Sequence, residues 1–161
     1  MVRRERGFTY LTALFVVAIL LGGLALAGEM WQTSAARERE ADLLFVGNQY
    51  RRAIGLYYNN TPGAPKRYPR ALEDLVKDPR TPTTQRYLRR LYADPLGAGE
   101  WGVVRADDGG IAGVYSQSDA APLKEAGFRV RDAAFEGAAK YSDWRFIFAP
   151  AGAAPPPAAK K

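Results

Sequence analysis

The chain has no cysteine and no histidine among its 161 residues. Without cysteine there is no disulfide to staple a small domain and no thiolate nucleophile. Without histidine the commonest general base is missing, and with both gone so are the usual zinc ligands. Charge is missing too, but only locally. From Phe8 to Gly28 there is no Asp, Glu, Lys or Arg, whereas the rest of the chain has an ordinary soluble composition.

The side chains that remain make poor catalysts. Asp107 and Asp108 sit in Asp-Asp-Gly-Gly, which reads as a turn, and neighbouring side chains on an extended strand point apart. Ser116 and Ser118 have no histidine to activate them, and Lys124 and Lys140 have no supporting serine motif. The glycines at 109, 110 and 113 lack the spacing and the lysine of a phosphate loop. No enzymatic activity is expected.

What the sequence does contain is an apolar run of about the length a helix needs to cross a bilayer core of roughly 30 Å. Arg3, Arg4 and Arg6 precede it and hold that end in the cytoplasm, so the bulk of the chain is expected outside a bacterial inner membrane. Three processing routes fit a basic start followed by an apolar run. A secretory signal peptide would be cut after Ala25-Leu26-Ala27, leaving Gly28 as the first residue. A plain anchor would not be cut. The third route removes only residues 1–7 and keeps the apolar helix.

The third route rests on a resemblance. Arg6-Gly7-Phe8-Thr9-Tyr10-Leu11 is similar to the prepilin-type signature of type IV pilins and type II secretion pseudopilins, which prepilin peptidase cuts after glycine. The resemblance implies cleavage between Gly7 and Phe8, N-methylation of Phe8, and a filament-assembly surface that includes Phe8, Leu11, Thr12, Leu14 and Phe15. In the family the fifth mature residue is a glutamate that neutralises the neighbour's N-terminus; here it is Thr12. A hydroxyl cannot replace that charge, and a buried ion pair missing one partner is costly. By resemblance this points to a minor subunit at the filament tip, which has no subunit ahead of it to pair with.

Beyond Gly28 the periodicity predicts that one helix continues to about Tyr58. Arg37-Glu38-Arg39-Glu40 reads as a solvated collar of alternating sign. Leu43, Val46, Gly47, Tyr50, Ile54 and Tyr57 then recur at three- and four-residue spacing as one apolar stripe. Asp42, Asn48, Gln49, Arg51 and Arg52 are assigned to the outer surface. Gly22, Gly23 and Gly28 punctuate the membrane half, where small residues permit close helix approach or local melting. Asn59 to Gly63 carries strong helix breakers.

The remainder predicts a small domain. Short helical turns are expected at Ala71–Lys77, with Leu72, Leu75 and Val76 inward, and at Thr83–Leu91. A β-hairpin is expected from Trp101–Arg105 and Ile111–Gln117 around Asp108-Gly109, and a third strand at Asp143–Phe148. The fold class is therefore α+β: a pilin-like long N-terminal transmembrane and amphipathic helix followed by a small antiparallel sheet. The divisions expected are a leader at 1–7, a membrane or filament-core segment at 8–28, a periplasmic domain at 29–148 and a disordered Pro/Ala tail at 149–161.

Three further segments resemble the major-pseudopilin family in the same order: Tyr68-Pro69 with Leu72 and Leu75-Val76, Asp94-Pro95-Leu96-Gly97 followed by Trp101, and Val114-Tyr115-Ser116. In that family the loop after the Tyr-Ser strand binds calcium. The matching stretch here offers Ser118, Asp119 and Glu125, and calcium takes 6–8 oxygens, so no cofactor is expected and calcium is the one ion the resemblance would bring. Partners implied are other pseudopilins or pilins, prepilin peptidase, an inner-membrane assembly platform, and membrane lipid before assembly.

The formal charge of +6 has a local source. Lys66, Arg67, Arg70, Lys77, Arg80, Arg86, Arg89 and Arg90 face only Glu73, Asp74 and Asp78. A solvated face is the ordinary reading, an acidic partner subunit the sharper one. Nucleic acid is not expected, except in the alternative of a DNA-uptake minor pilin using residues 66–90. The other alternative is a periplasmic binding domain that uses the apolar run only as a signal or anchor.

Overall fold

The stripe from Leu43 to Tyr57 decides the architecture, because a helix with one apolar face must bury it against another element. In the computed structural model, which describes residues 5–97 and 99–150, helix α1 spans Glu5–Asn59. Side chains along it are described at 10–21 and from 33 onward. The chain divides into two compact units between Glu38 and Arg39.

In the second unit every residue of the stripe is buried: Leu43, Val46, Gly47, Tyr50, Ile54 and Tyr57. They pack against a three-stranded antiparallel sheet in the order β1 (Trp101–Arg105), β2 (Ile111–Ser116), β3 (Arg145–Ile147). The fold of this unit is thus α+β. β2 is central and buried along almost its whole length. The Asp-Asp-Gly-Gly turn forms as its residues dictate. Gly109 takes a φ of 77°, which suits glycine, and the Asp108 carboxylate accepts the Gly110 N–H at 2.9 Å. One residue, Ala112, is extra on β2, since Val104 pairs with Gly113 and Arg105 with Ile111. The carbonyl of that bulge residue accepts the Phe148 N–H at 2.9 Å.

β3 lies against α1 through Phe146, and Phe148, just past the end of the strand, makes a second such contact. A Cβ at Gly47 would come within 2.4 Å of the Phe146 ring, and one at Gly55 within 2.7 Å of Phe148. Each glycine is therefore a seat cut into the helix for one ring. Phe146 is fully buried there and joins an aromatic cluster with Phe135, Phe128, Trp144 and Tyr141. Phe135 stacks on Trp144 at 5.4 Å and 8°. Such ring pairs add about 0.5–1.5 kcal/mol each beyond their buried area.

Other parts depart from expectation. The turn at 71–77 narrows to a single 3₁₀ turn, Leu72–Leu75, with Leu75 fully buried and Leu72 and Val76 half-buried. Residues 83–91 are not helical. A helix of that length is marginal on its own, and its backbone is used elsewhere. The Leu75 carbonyl takes the N–H groups of Tyr87 and Leu88 at 2.8 and 2.9 Å, and Gln85 accepts from Asp78 at 3.0 Å. The third strand shortens to three residues. Residues 149 and 150 carry no regular structure, and 151–161, the bulk of the predicted tail, lie outside the described residues.

Candidate functional site

Residues 10–21 of α1 are consecutive and all exposed. Nine of them are large and apolar, among them Tyr10 at 67%, Leu11 at 65% and Phe15 at 69%. They cover every side of the helix, so no rotation hides them from water. Burying one such side chain is worth about 1.5–3 kcal/mol, and a contiguous apolar surface of this extent marks contact with a membrane or another protein. Of the predicted assembly residues, Leu11, Leu14 and Phe15 belong to this surface, and Thr12 is exposed among them. The surroundings of Gly7 and Phe8, and of residues 22–32, lie outside the described side chains. Among the described residues no helix is long and apolar enough to cross a membrane.

The collar is the first correction in the domain. Arg37, Glu38 and Arg39 are exposed, but Glu40 is buried at 6%. Its Oε2 accepts from Leu123 N–H at 2.8 Å, Lys124 N–H at 3.0 Å and the Tyr141 hydroxyl at 2.8 Å. A buried carboxylate must be satisfied in this way or it destabilises the fold. Burial and the Glu40 hydrogen bond push the Tyr141 hydroxyl up to about 12. The signal was present in the sequence, since Glu40 stands one turn before Leu43, on the stripe.

Asn48 and Arg51 are the second correction, as both are half-buried against the segment at 131–132 and not simply solvated. Arg51 Nη1 donates to Asp132 Oδ1 and to the Arg131 carbonyl, both at 2.9 Å, and Asn48 donates to Asp132 Oδ2 at 3.4 Å. The guanidinium lies 5.5 Å from the Phe146 ring and 5.8 Å from Phe135. Burial lowers the Arg51 pKa, and buried Asp132 opposes that shift.

The basic stretch splits. Arg80 reaches the end of α1, where it donates to the Tyr57 carbonyl at 3.0 Å and the Thr61 hydroxyl at 2.7 Å and lies 3.5 Å from the Tyr57 ring centre. Its Nε and Nη2 also grip Asp78, at 2.8 and 2.7 Å. Hydrogen bonding to Arg80 lowers the Asp78 pKa and raises that of Arg80 in return. Lys66 donates to the carbonyls of Asn59 and Thr61. Two cations therefore satisfy carbonyls at the negative end of the helix, where positive charge is favoured. Arg67, Arg70, Lys77, Arg86, Arg89 and Arg90 remain exposed.

The motif segments meet one another. Buried Asp94 accepts from the Ser116 hydroxyl at 2.7 Å and from Gln117 N–H at 3.2 Å, joining the Asp-Pro-Leu-Gly loop to the end of β2. Trp101 and Tyr50 both donate to the Tyr92 carbonyl at 2.9 Å. Pro69 is buried, with its carbonyl accepting Ile111 N–H at 2.7 Å. In the loop after β2, Asp119 meets Lys140 at 3.2 Å and Ser142 at 3.3 Å, while Ser118 Oγ accepts from Ala120 N–H. Glu125 is exposed. Among the described residues no three acids gather as a metal site. A groove of about 470 Å3 opens elsewhere, between α1 residues 41–52 and the segment 124–132.

No family model matches the chain, and comparison with curated proteins and with solved structures gives no match either.

Proposed function

We propose that the chain is a pseudopilin-like filament subunit, carried in the inner membrane by its N-terminal helix and built through it into a periplasmic filament of a type II secretion or type IV pilus-like machine. The observation that carries this reading is the all-round apolar exposure of residues 10–21. An amphipathic helix would bury one face and wet the other; this one needs cover on every side. Lipid supplies that cover before assembly and neighbouring helices supply it afterwards. The uncharged run from Phe8 to Gly28 and the Arg6-Gly7-Phe8 junction extend the same argument in sequence. Thr12 in place of the family's glutamate supports a minor or tip position. The small domain then serves contact and not chemistry.

The test is the intact mass and N-terminal sequence of the protein taken from its native membrane. A chain beginning at a methylated Phe8 is the expected result. The second reading, a binding domain that only borrows the apolar run as a signal or anchor, is favoured by the groove beside α1. It predicts a chain that starts at Gly28 or is uncut, and either result would overturn the filament proposal. High copy number along isolated filaments would remove the tip assignment alone.

A further inference from the structure

The groove beside α1 has an apolar floor and a basic rim. Ala41, Leu44, Phe45 and Phe128 make the floor, and Phe45 is 61% exposed although it lies on the domain part of the helix. Arg52, Lys124, Arg129 and Arg131 stand around it. One carboxylate, Asp132, lines the groove, and it is already bound to Arg51 at 2.9 Å. Asp132 also meets Arg131 at 3.6 Å, so one carboxylate among the lining residues is shared by Arg51 and Arg131, and Arg52, Lys124 and Arg129 have no acid of the lining to balance them.

We infer that this groove docks an acidic amphipathic segment of a partner protein, with apolar side chains on Phe45 and Leu44 and carboxylates against Arg52, Arg129 and Arg131. Aromatic residues and arginine are both enriched at protein interfaces. An elongated trough along a helix suits a peptide segment laid into it. Charge complementarity excludes the chain's own ends, since residues 151–161 carry two lysines and no acid and the first four residues carry two arginines and no acid. A bilayer surface meets protrusions more readily than a concave trough. Single-stranded nucleic acid stacks successive bases on a series of ring faces, whereas this groove offers one open ring, Phe45, since Lys124 Nζ lies 5.1 Å over the Phe128 ring. The inference does not rest on the filament reading; a subunit or an anchored binding domain would use the groove alike.

The experiment uses the full chain in detergent and two fluorescein-labelled 15-residue helical peptides with leucine at every third or fourth position. One carries glutamate at the remaining positions and the other lysine. The expected result is binding of the glutamate peptide about tenfold or more above the lysine peptide, weakening with added salt. Phe45→Ser should weaken it by about tenfold. The double change Arg52→Glu with Arg129→Glu should reverse the preference, so that the lysine peptide binds better. All three side chains are exposed, and an unchanged near-ultraviolet circular dichroism spectrum checks the fold. Equal binding of the two peptides, or binding indifferent to these changes, would overturn the inference. So would tighter Phe45-dependent binding of an oligothymidylate or of phosphatidylglycerol vesicles, or a dimer of the chain lost on Phe45→Ser.

Discussion

Glu40 and Tyr141 share a buried hydrogen bond of 2.8 Å across 101 residues of chain. The same carboxylate oxygen also holds the backbone of Leu123 and Lys124, so one side chain of α1 fixes both the loop and the turn that leads to β3. Removing it leaves the Lys124 N–H and the Tyr141 hydroxyl without their acceptor, and leaves the Leu123 N–H only its longer bond of 3.3 Å to the Tyr141 oxygen. Glu40→Ala is expected to cost about 3 kcal/mol, since a lost bond to a charged group is worth about 1.5–3 kcal/mol. Glu40→Gln keeps an acceptor and should cost less than half as much. Urea unfolding of the two variants and the parent measures both.

Tyr141 also gives the fold an alkaline limit. Its hydroxyl pKa is raised from 10.0 to about 12 in the folded chain. A group with a raised folded pKa contributes stability that is complete below its unfolded value and is lost as pH rises through the folded one. Stability should therefore fall between about pH 10 and 12, and Tyr141→Phe should flatten that fall. Tyrosinate absorbance should show the same lag, because burial also raises Tyr50, Tyr57, Tyr68 and Tyr87.

At the acid end the sign is opposite. Hydrogen bonding to Arg80 lowers the Asp78 pKa. Its contribution is present above the ordinary carboxylate value near 3.9 and is lost as pH falls through the lower folded value. Asp78→Asn should reduce the acid dependence of unfolding below about pH 4. Arg80→Ala should do so as well, and should cost about 2 kcal/mol at neutral pH by uncapping α1 and stranding the Asp78 charge.

The glycine seats give the sharpest packing test. Gly47→Ala places a methyl group inside the Phe146 ring, whereas its helix propensity alone would stabilise by up to about 1 kcal/mol. Overpacking a closed core costs about 1–3 kcal/mol, so the net effect should be destabilising. Gly55→Ala should be milder, because Phe148 is only half-buried and can yield. A thermal melt of the two variants ranks them.

Much of this was legible in the sequence, and the exceptions share a cause. The stripe at Leu43, Val46, Tyr50, Ile54 and Tyr57 is a local signal with a fixed period, and so is the hairpin around Asp108-Gly109. Glu40 sits in register with the stripe, but its charge argued for solvent, and nothing nearby in the sequence marks Leu123, Lys124 and Tyr141 as its donors. Arg51 was hidden in the same way, because Asp132 lies 81 residues away. The stretch 83–91 has the spacing of a short helix, yet its backbone answers to Leu75. The apolar surface at 10–21 follows directly from composition. The basic groove does not, since its second wall, 124–132, shows no periodicity and is held to α1 by long-range bonds, Glu40 to Lys124 at one end and Arg51 to Asp132 at the other.

The two rings seated on Gly47 and Gly55 behave as pegs in a keyed joint. A load drawn along the axis of α1 meets Phe146 and Phe148 as a sideways shear on both at once, and the rings must lift from their notches together before the sheet can slip. The notches thus tie the position of the sheet along the helix axis to two fixed points, Gly47 and Gly55, with the fully buried Phe146 the firmer of the two.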